Sequence, residues 1–322
     1  MPLLRADQDL EALCGVAAGL LGVPAAVVEK DYWVAQALRA LQSQHPDEFI
    51  FKGGTSLSKA YGLIERFSED IDILVRERDG EAKSARYRRI DKMAADTAAA
   101  VGDRGAREKV FAERTGWHRT ELLHYGPNIG GPAFMLPSIR LDIGFAGGIE
   151  PSGVRSIETL VGDLLVEQQR LTLADFDDLA PFDVPVLHPG RTLVEKLLLV
   201  HTAAARSVDR VNELGRFRAG RHFYDIHCLL GHDESCMLLS DRQRFEQVLD
   251  DAVRVSTEHF GGVEGRPDEG FAASEAFCAQ GQLRDALGRE YSETMDAFYF
   301  GAEPYPSFEA VCERVEERRE LL

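Results

Sequence analysis

Near the start of the chain Leu10, Leu13, Ala17 and Leu20 recur at helical spacing, and after a break at Gly22 and Pro24 a second stripe runs through Val27, Val34, Leu38 and Leu41. That period predicts two amphipathic helices. Asp31 falls on the second stripe, where an unpaired carboxylate is costly to bury, so it either lies at the stripe's edge or has a partner. Residues 48–52 read as a short strand ending in Gly53-Gly54, and Leu57, Tyr61 and Ile64 follow at helical period. Ile71, Ile73 and Val75 then alternate with Asp72 and Leu74, which predicts a second strand with Asp70 and Asp72 on one face. The aspartates lie beside the glycine turn if the intervening helix packs back on the sheet. A polar helix is expected over 82–100 and strands over 109–114, 121–124 and 139–145. In the last of these Asp142 stands between Leu141 and Ile143, a candidate third carboxylate.

Beyond Pro189 the strand pattern fades, and helices are expected over 192–206, 221–230, 242–260, 282–300 and 308–322. The chain therefore reads as an α+β protein, with a sheet-containing domain over 1–188 that includes the N-terminal helices and a C-terminal helical domain over 189–322. Glycine and charge content marks 209–220 and 261–270 as mobile loops.

Composition narrows the class. The 322 residues leave room for two domains, and 44% hydrophobic with 28% charged residues describes a soluble globular chain with a real core. A net charge of −17 opposes non-specific attraction to nucleic-acid phosphates, so any such contact needs a local basic patch. Arg86, Arg88, Arg89 and Lys92, or Arg206, Arg210, Arg216 and Arg218, are the candidates. Five cysteines, odd in number and scattered, fit a reducing cytoplasm better than a disulfide framework. Residues 12–28 carry no charge, but Pro24 interrupts them and Asp7, Asp9 and Glu11 precede them, so they are not read as a leader or membrane span. His227, Cys228, His232 and Cys236 lack zinc-site spacing, and no P-loop, Rossmann or kinase motif is present.

A strand, a glycine turn and a helix start together offer backbone N–H groups to an anion. Thr55 and Ser56 add hydroxyls there, and Lys59 follows one helical turn later. Two carboxylates on one strand face are hard ligands for Mg²⁺, and Asp142 would complete a two-metal site of the kind that serves phosphoryl or nucleotidyl transfer. Lys196 interrupts a helix bearing Leu193, Leu197 and Val200, and either extends its cation to a triphosphate or snorkels at the surface. Asp225 pairs with Lys196 or with Arg221, as a structural ion pair or as a catalytic group. Arg66 clamps phosphate or balances Glu65 and Glu69. The residues alone leave open a kinase-like phosphotransferase acting on a protein or small molecule, and a non-catalytic nucleotide-binding regulatory module.

The segment GGTSLSKAYGLIERFSEDIDILV resembles the signature of the AbiEii/MenT-like nucleotidyltransferases, toxin components of bacterial type IV toxin–antitoxin pairs within the DNA polymerase β-like superfamily. EKDYWVAQAL before it, and RTLVEKLLLV and RHFYDIHCLL after it, resemble the same family in the same order. The resemblance implies a polymerase β-like mixed sheet with flanking helices and an added helical domain. It also implies that Gly53, Gly54, Thr55 and Ser56 hold the phosphates of a nucleoside triphosphate and that Asp70 and Asp72 bind catalytic Mg²⁺, with Asp142 as the superfamily's third carboxylate. The family's functional lysine falls on Lys196 and its acidic residue on Asp225. The spacer between the glycine turn and the aspartates is longer than the general superfamily pattern, which leaves open whether Thr55 or Ser56 faces the phosphates. The implied reaction moves a nucleotide to an RNA acceptor, with the tRNA 3′ end leading. The implied setting is the cytoplasm, away from any membrane, with a cognate antitoxin encoded nearby.

Overall fold

The computed structural model describes residues 3–6, 10–68, 70–101, 106–112, 117–132, 135–168, 176–207 and 220–322. The chain divides into two compact units. The first comprises Met1–Tyr61, Ser68–Ala146 and Ser152–Val186; the second comprises Gly62–Phe67, Gly147–Pro151 and Leu187–Leu322.

An α+β architecture is present. Strands β1 (Phe49–Lys52), β2 (Asp70–Val75), β3 (Arg107–Ala112), β4 (His118–Leu123), β5 (Ile139–Gly144), β6 (Ser152–Ile157) and β7 (Phe182–Leu187) form one sheet in the order β3-β4-β5-β2-β1-β7-β6. The sheet is mixed: β2/β5 and β1/β7 run parallel, while β1/β2, β3/β4 and β4/β5 run antiparallel. Its central strands are apolar, with Phe49, Ile50 and Phe51 of β1, Ile71 and Ile73 of β2, and Leu141 and Ile143 of β5 all buried.

Around the sheet lie α1 (Leu10–Leu21), α2 (Ala25–Gln44), α3 (Gly53–Lys59), α4 (Lys83–Ala100) and α5 (Leu160–Glu167). Helix α2 is buried along most of its length, Glu29, Lys30 and Tyr32 included. Each of those has a partner, as a buried polar group requires. Glu29 accepts from the N–H groups of Asn128 and Ile129 at 2.9 and 3.1 Å, Lys30 donates to the Leu136 carbonyl at 2.9 Å, and Tyr32 donates to Asp178 at 2.5 Å. No single described helix is long and apolar enough to cross a membrane; α1 and α2 reach that composition only as a pair bent by 113°.

The second unit is helical. It contains α6 (Pro189–Ser207), α7 (Gly220–Leu230), α8 (Asp233–Ser240), α9 (Arg242–His259), α10 (Glu275–Cys278), α11 (Gly281–Phe298) and α12 (Phe308–Glu317). Helix α7 packs against α6, α8, α11 and α12, and Phe223 on it meets Phe277 and Phe308 edge-on.

The pattern reading misses in identifiable places. The helix after the glycine turn holds only seven residues rather than extending to Ile64, because Gly62 at φ 61° leaves the helical region. Strands β6 and β7 went unread, the first because its residues are mostly polar and half-exposed, the second because Pro185 sits inside it. Of the loop read over 209–220, residues 209–219 lie outside the described residues and Gly220 begins α7.

Candidate active site

In the first unit the glycine turn and the strand aspartates meet directly. Gly53 adopts φ 79°, and a Cβ built on it would stand 2.0 Å from Asp72 Oδ2 and 2.8 Å from its Cγ. The Asp72 carboxylate therefore occupies the space that any side chain at position 53 would fill. Lys52 of β1 is the register partner of Asp72, which sets this approach by strand pairing.

Both hydroxyls of the turn are engaged by main chain. Thr55 donates to the Asp70 carbonyl at 2.6 Å and lies 3.0 Å from Ser68 Oγ; Ser56 donates to the Gly53 carbonyl at 2.8 Å. Both residues are buried. Here they tie the turn to the start of β2 and to itself, and the groups the turn offers an anion are the first-turn N–H groups, which have no intrahelical acceptor. With only seven residues, α3 adds a short dipole to them.

Asp142 on β5 is the register partner of Asp72 on β2, so Asp70, Asp72 and Asp142 share one face. Asp142 is held by several neighbours. It accepts from the Thr120 hydroxyl and from Arg140 Nε at 2.7 Å, and His118 Nε2 lies 3.5 Å away. Burial alone would raise its pKa, but the contacts from His118, Arg140 and Thr120 outweigh it and hold the carboxyl at about 2. The hydrogen bond to Asp142 and the fields of all three aspartates in turn raise Arg140. Among the described residues no group of three or more His, Cys, Asp or Glu side chains converges as a metal cage. The half-buried pair Asp70 and Asp72 nonetheless fits a hard cation whose remaining ligands come from substrate phosphates and water.

Lys59, expected at the phosphates, instead pairs with Asp31 at 2.5 Å. The second Asp31 oxygen accepts from Leu160 N at 2.8 Å and so satisfies the first N–H of α5, whose N-cap is Thr159. The two possibilities for Asp31 resolve in favour of a partner.

A second cluster lies wholly within the second unit. Arg66 grips Asp225 in a two-pronged pair, Nε to Oδ1 and Nη2 to Oδ2, both at 2.7 Å. Lys196 of α6 reaches Asp225 Oδ2 at 2.7 Å and His222 Nδ1 at 3.2 Å. Asp225 thus pairs with Lys196 and Arg66 rather than with Arg221, and Arg66 balances Asp225 rather than Glu65; Glu69 lies outside the described residues. Burial would raise the Asp225 carboxyl, yet the charges of Arg66 and Lys196 drive it well below the carboxylate range. Burial lowers Lys196, with Asp225 opposing, and burial together with the Lys196 charge pushes His222 far below its ordinary value. His222 is therefore a neutral acceptor for the lysine, and two cations share one carboxylate. The sequence reading overlooked His222; its place three residues before Asp225 on one helix face was the available signal.

Of the first proposed basic patch, three of four residues are paired. Arg86 pairs with Glu77 at 3.2 Å and covers the Trp117 ring, Arg89 pairs with Glu81, and Lys92 pairs with Asp96. Arg88 is exposed. Arg206 lies 3.5 Å from Glu264, while Arg210, Arg216 and Arg218 fall outside the described residues. A cavity of about 410 Å³ in the second unit, lined by Arg191, Arg244, Arg254 and Asp251, likewise has Asp251 bonded to Arg191 and Arg254.

Comparison with known proteins places this geometry in context. The family model described as nucleotidyl transferase AbiEii toxin, type IV TA system, matches residues 36–314. No curated protein sequence matches the chain. Among solved structures, MenT4, a nucleotidyltransferase toxin from Mycobacterium tuberculosis H37Rv, is similar at 16% sequence identity and a TM-score of 0.45, over 96% of each chain.

Proposed function

The chain belongs to the AbiEii family of nucleotidyltransferase toxins from type IV toxin–antitoxin systems, and on that footing we propose that it transfers a nucleotidyl group from a nucleoside triphosphate to an RNA acceptor, the tRNA 3′ end foremost. The observation that carries this reading is the lodging of the Asp72 carboxylate against Gly53, which puts acid and glycine turn in van der Waals contact. Asp70 and Asp72 would hold Mg²⁺, which when bound neutralises the triphosphate and polarises its α-phosphorus.

The remaining work falls to the chain. First-turn N–H groups after Gly53 and Gly54 receive phosphate oxygens, positioned by the Thr55 and Ser56 hydroxyl bonds. Asp142, held at about 2, is a fixed negative charge beside Asp72 at neutral pH and too weak a base to take the acceptor's proton. Within the second unit Lys196 is held by Asp225 and His222, an ion cluster that supports the helical unit. The acceptor hydroxyl oxygen bonds to the α-phosphorus, the bond to the bridging oxygen breaks, pyrophosphate leaves, and the hydroxyl proton passes to solvent. Blocked tRNA would halt translation and growth in the cytoplasm, and an antitoxin encoded alongside would restrain it.

The test is incubation of purified protein and Mg²⁺ with total tRNA and each nucleoside triphosphate radiolabelled at the α-phosphate, with Asp72→Ala in parallel. Label in tRNA from wild type alone is expected. No label from any nucleotide, or transfer of a γ-phosphate label instead, overturns the reading.

A further inference from the structure

In an enzyme of net charge −17, where Arg86, Arg89 and Lys92 are each paired with an acid, a polyanionic acceptor gains from a contact that needs no positive charge. The sheet carries such a means. Phe111 of β3 is the register partner of Thr120 of β4, Thr120 is the partner of Asp142 of β5, and Asp142 is the partner of Asp72 of β2. Residues directly opposite share a face, so these four form one row across adjacent strands. At the usual spacing of about 4.8 Å per strand, Phe111 stands roughly 14 Å from Asp72 along it.

A bulge puts the ring there. Lys109 pairs with Glu121 and Phe111 with Thr120, leaving Val110 as the extra residue. Without that insertion Val110 would oppose Thr120 and Phe111 would turn to the opposite face, the side on which Arg119 meets Tyr87 and Asp91. Bulges commonly re-aim a side chain beside an active site. Phe111 is 50% exposed, an unusual state for so large an apolar ring. The His118 ring lies 5.8 Å from it at 42°, and the same imidazole reaches towards Asp142. Strand order completes the argument: the glycine turn follows β1 on one side of the aspartates, and Phe111 lies on the other.

We propose that Phe111, backed by His118, is a stacking platform for a nucleobase near the end of a single-stranded nucleic-acid acceptor, opposite the side that receives the donor triphosphate. The proposal rests on the nucleotidyl-transfer reading above. An aromatic ring accepts the π-face of any base and needs no basic surface, which suits this chain.

Two measurements test it with Phe111→Ala and Phe111→Trp, both changes at an exposed ring that leave the core intact. In steady-state transfer, Phe111→Ala should raise the KM for RNA about ten-fold while the KM for triphosphate and kcat at saturating RNA hold, and Phe111→Trp should restore wild-type values. An unchanged KM for RNA, or a raised KM for triphosphate alone, overturns the platform; the second result would place the donor's base there. Fluorescence anisotropy of a labelled single-stranded oligoribonucleotide reads binding without chemistry. It should weaken with Phe111→Ala and recover with Phe111→Trp. If wild type transfers no label, the functional reading fails, and the anisotropy arm still decides the platform: equal affinity for wild type and Phe111→Ala overturns it.

Discussion

Replacing Gly53 with alanine tests the contact on which the candidate site is built. The new Cβ would begin 2.0 Å from Asp72 Oδ2, so the oxygen must retreat by about 1.4 Å to reach an ordinary contact near 3.4 Å. The backbone is penalised separately, since φ 79° costs a residue with a side chain about 1–2 kcal/mol. Misplacing a reacting group by about 1 Å typically costs on the order of 10²-fold in rate. Gly53→Ala should therefore lower kcat/KM for nucleotidyl transfer about 100-fold or more and destabilise the first unit by more than the backbone term alone. Urea unfolding of Gly53→Ala, Asp72→Ala and the double variant separates the two terms. In the Asp72→Ala background the clash is gone, and Gly53→Ala should cost only the backbone strain, about 1–2 kcal/mol. Equal costs in both backgrounds would mean that the carboxylate does not occupy that space, and wild-type transfer by Gly53→Ala would refute the argument outright.

Asp225→Ala removes the one carboxylate between Arg66 and Lys196 and should cost about 3–5 kcal/mol in urea unfolding, because two buried cations lose their partner. Asp142 makes stability depend on acid: its pKa of about 2 lies below the ordinary 3.8, so its contribution is full above about pH 4 and is lost as pH falls towards 2. The shift amounts to at most roughly 2.5 kcal/mol, and the stability gap between wild type and Asp142→Asn should close over that range. Asp31→Ala deletes both the Lys59 pair and the bond from the first N–H of α5 and should cost about 2–4 kcal/mol, read by thermal unfolding. Chelation of divalent cations should abolish transfer and Mg²⁺ should restore it; transfer that persists in excess chelator would remove the role given to Asp70 and Asp72.

What the sequence made legible is what contiguous residues encode. The alternation of Ile71, Ile73 and Val75 put Asp70 and Asp72 on one face, and an acid between Leu141 and Ile143 marked Asp142; strand pairing then placed Asp142 opposite Asp72. Five helices of the second unit emerged from their 3.6-residue period to within a few residues of their ends, whereas the short α8 and α10 went unread. Charge pairing was not legible in the same way. Lys59 finds Asp31 across 28 positions and Arg66 finds Asp225 across 159, and no local pattern separates a phosphate-binding cation from one already neutralised by a distant acid. The same holds for the bulge at Val110, since a single unpaired residue in an edge strand leaves no mark on the alternation around it.

EKDYWVAQAL shows why a family resemblance and a catalytic assignment are different inferences. Glu29, Lys30, Asp31 and Tyr32 are four consecutive polar positions on a buried helix, and each is satisfied by a different part of the first unit: the 128–129 backbone, the Leu136 carbonyl, Lys59 with the start of α5, and Asp178. Asp178 also accepts from Leu4 N at 2.9 Å, so one helix turn gathers segments from both ends of that unit. A buried charge is tolerable only with such partners, and here they are two loops, the end of α3, the start of α5 and the short 3-10 turn at Asp178. The motif is thus a fastening for segments of the first unit, and substitutions in it should register first in stability and reach transfer only through the positions of α3 and α5. Gly53 and Asp72 act the other way round, because their contact is itself the geometry of the proposed site.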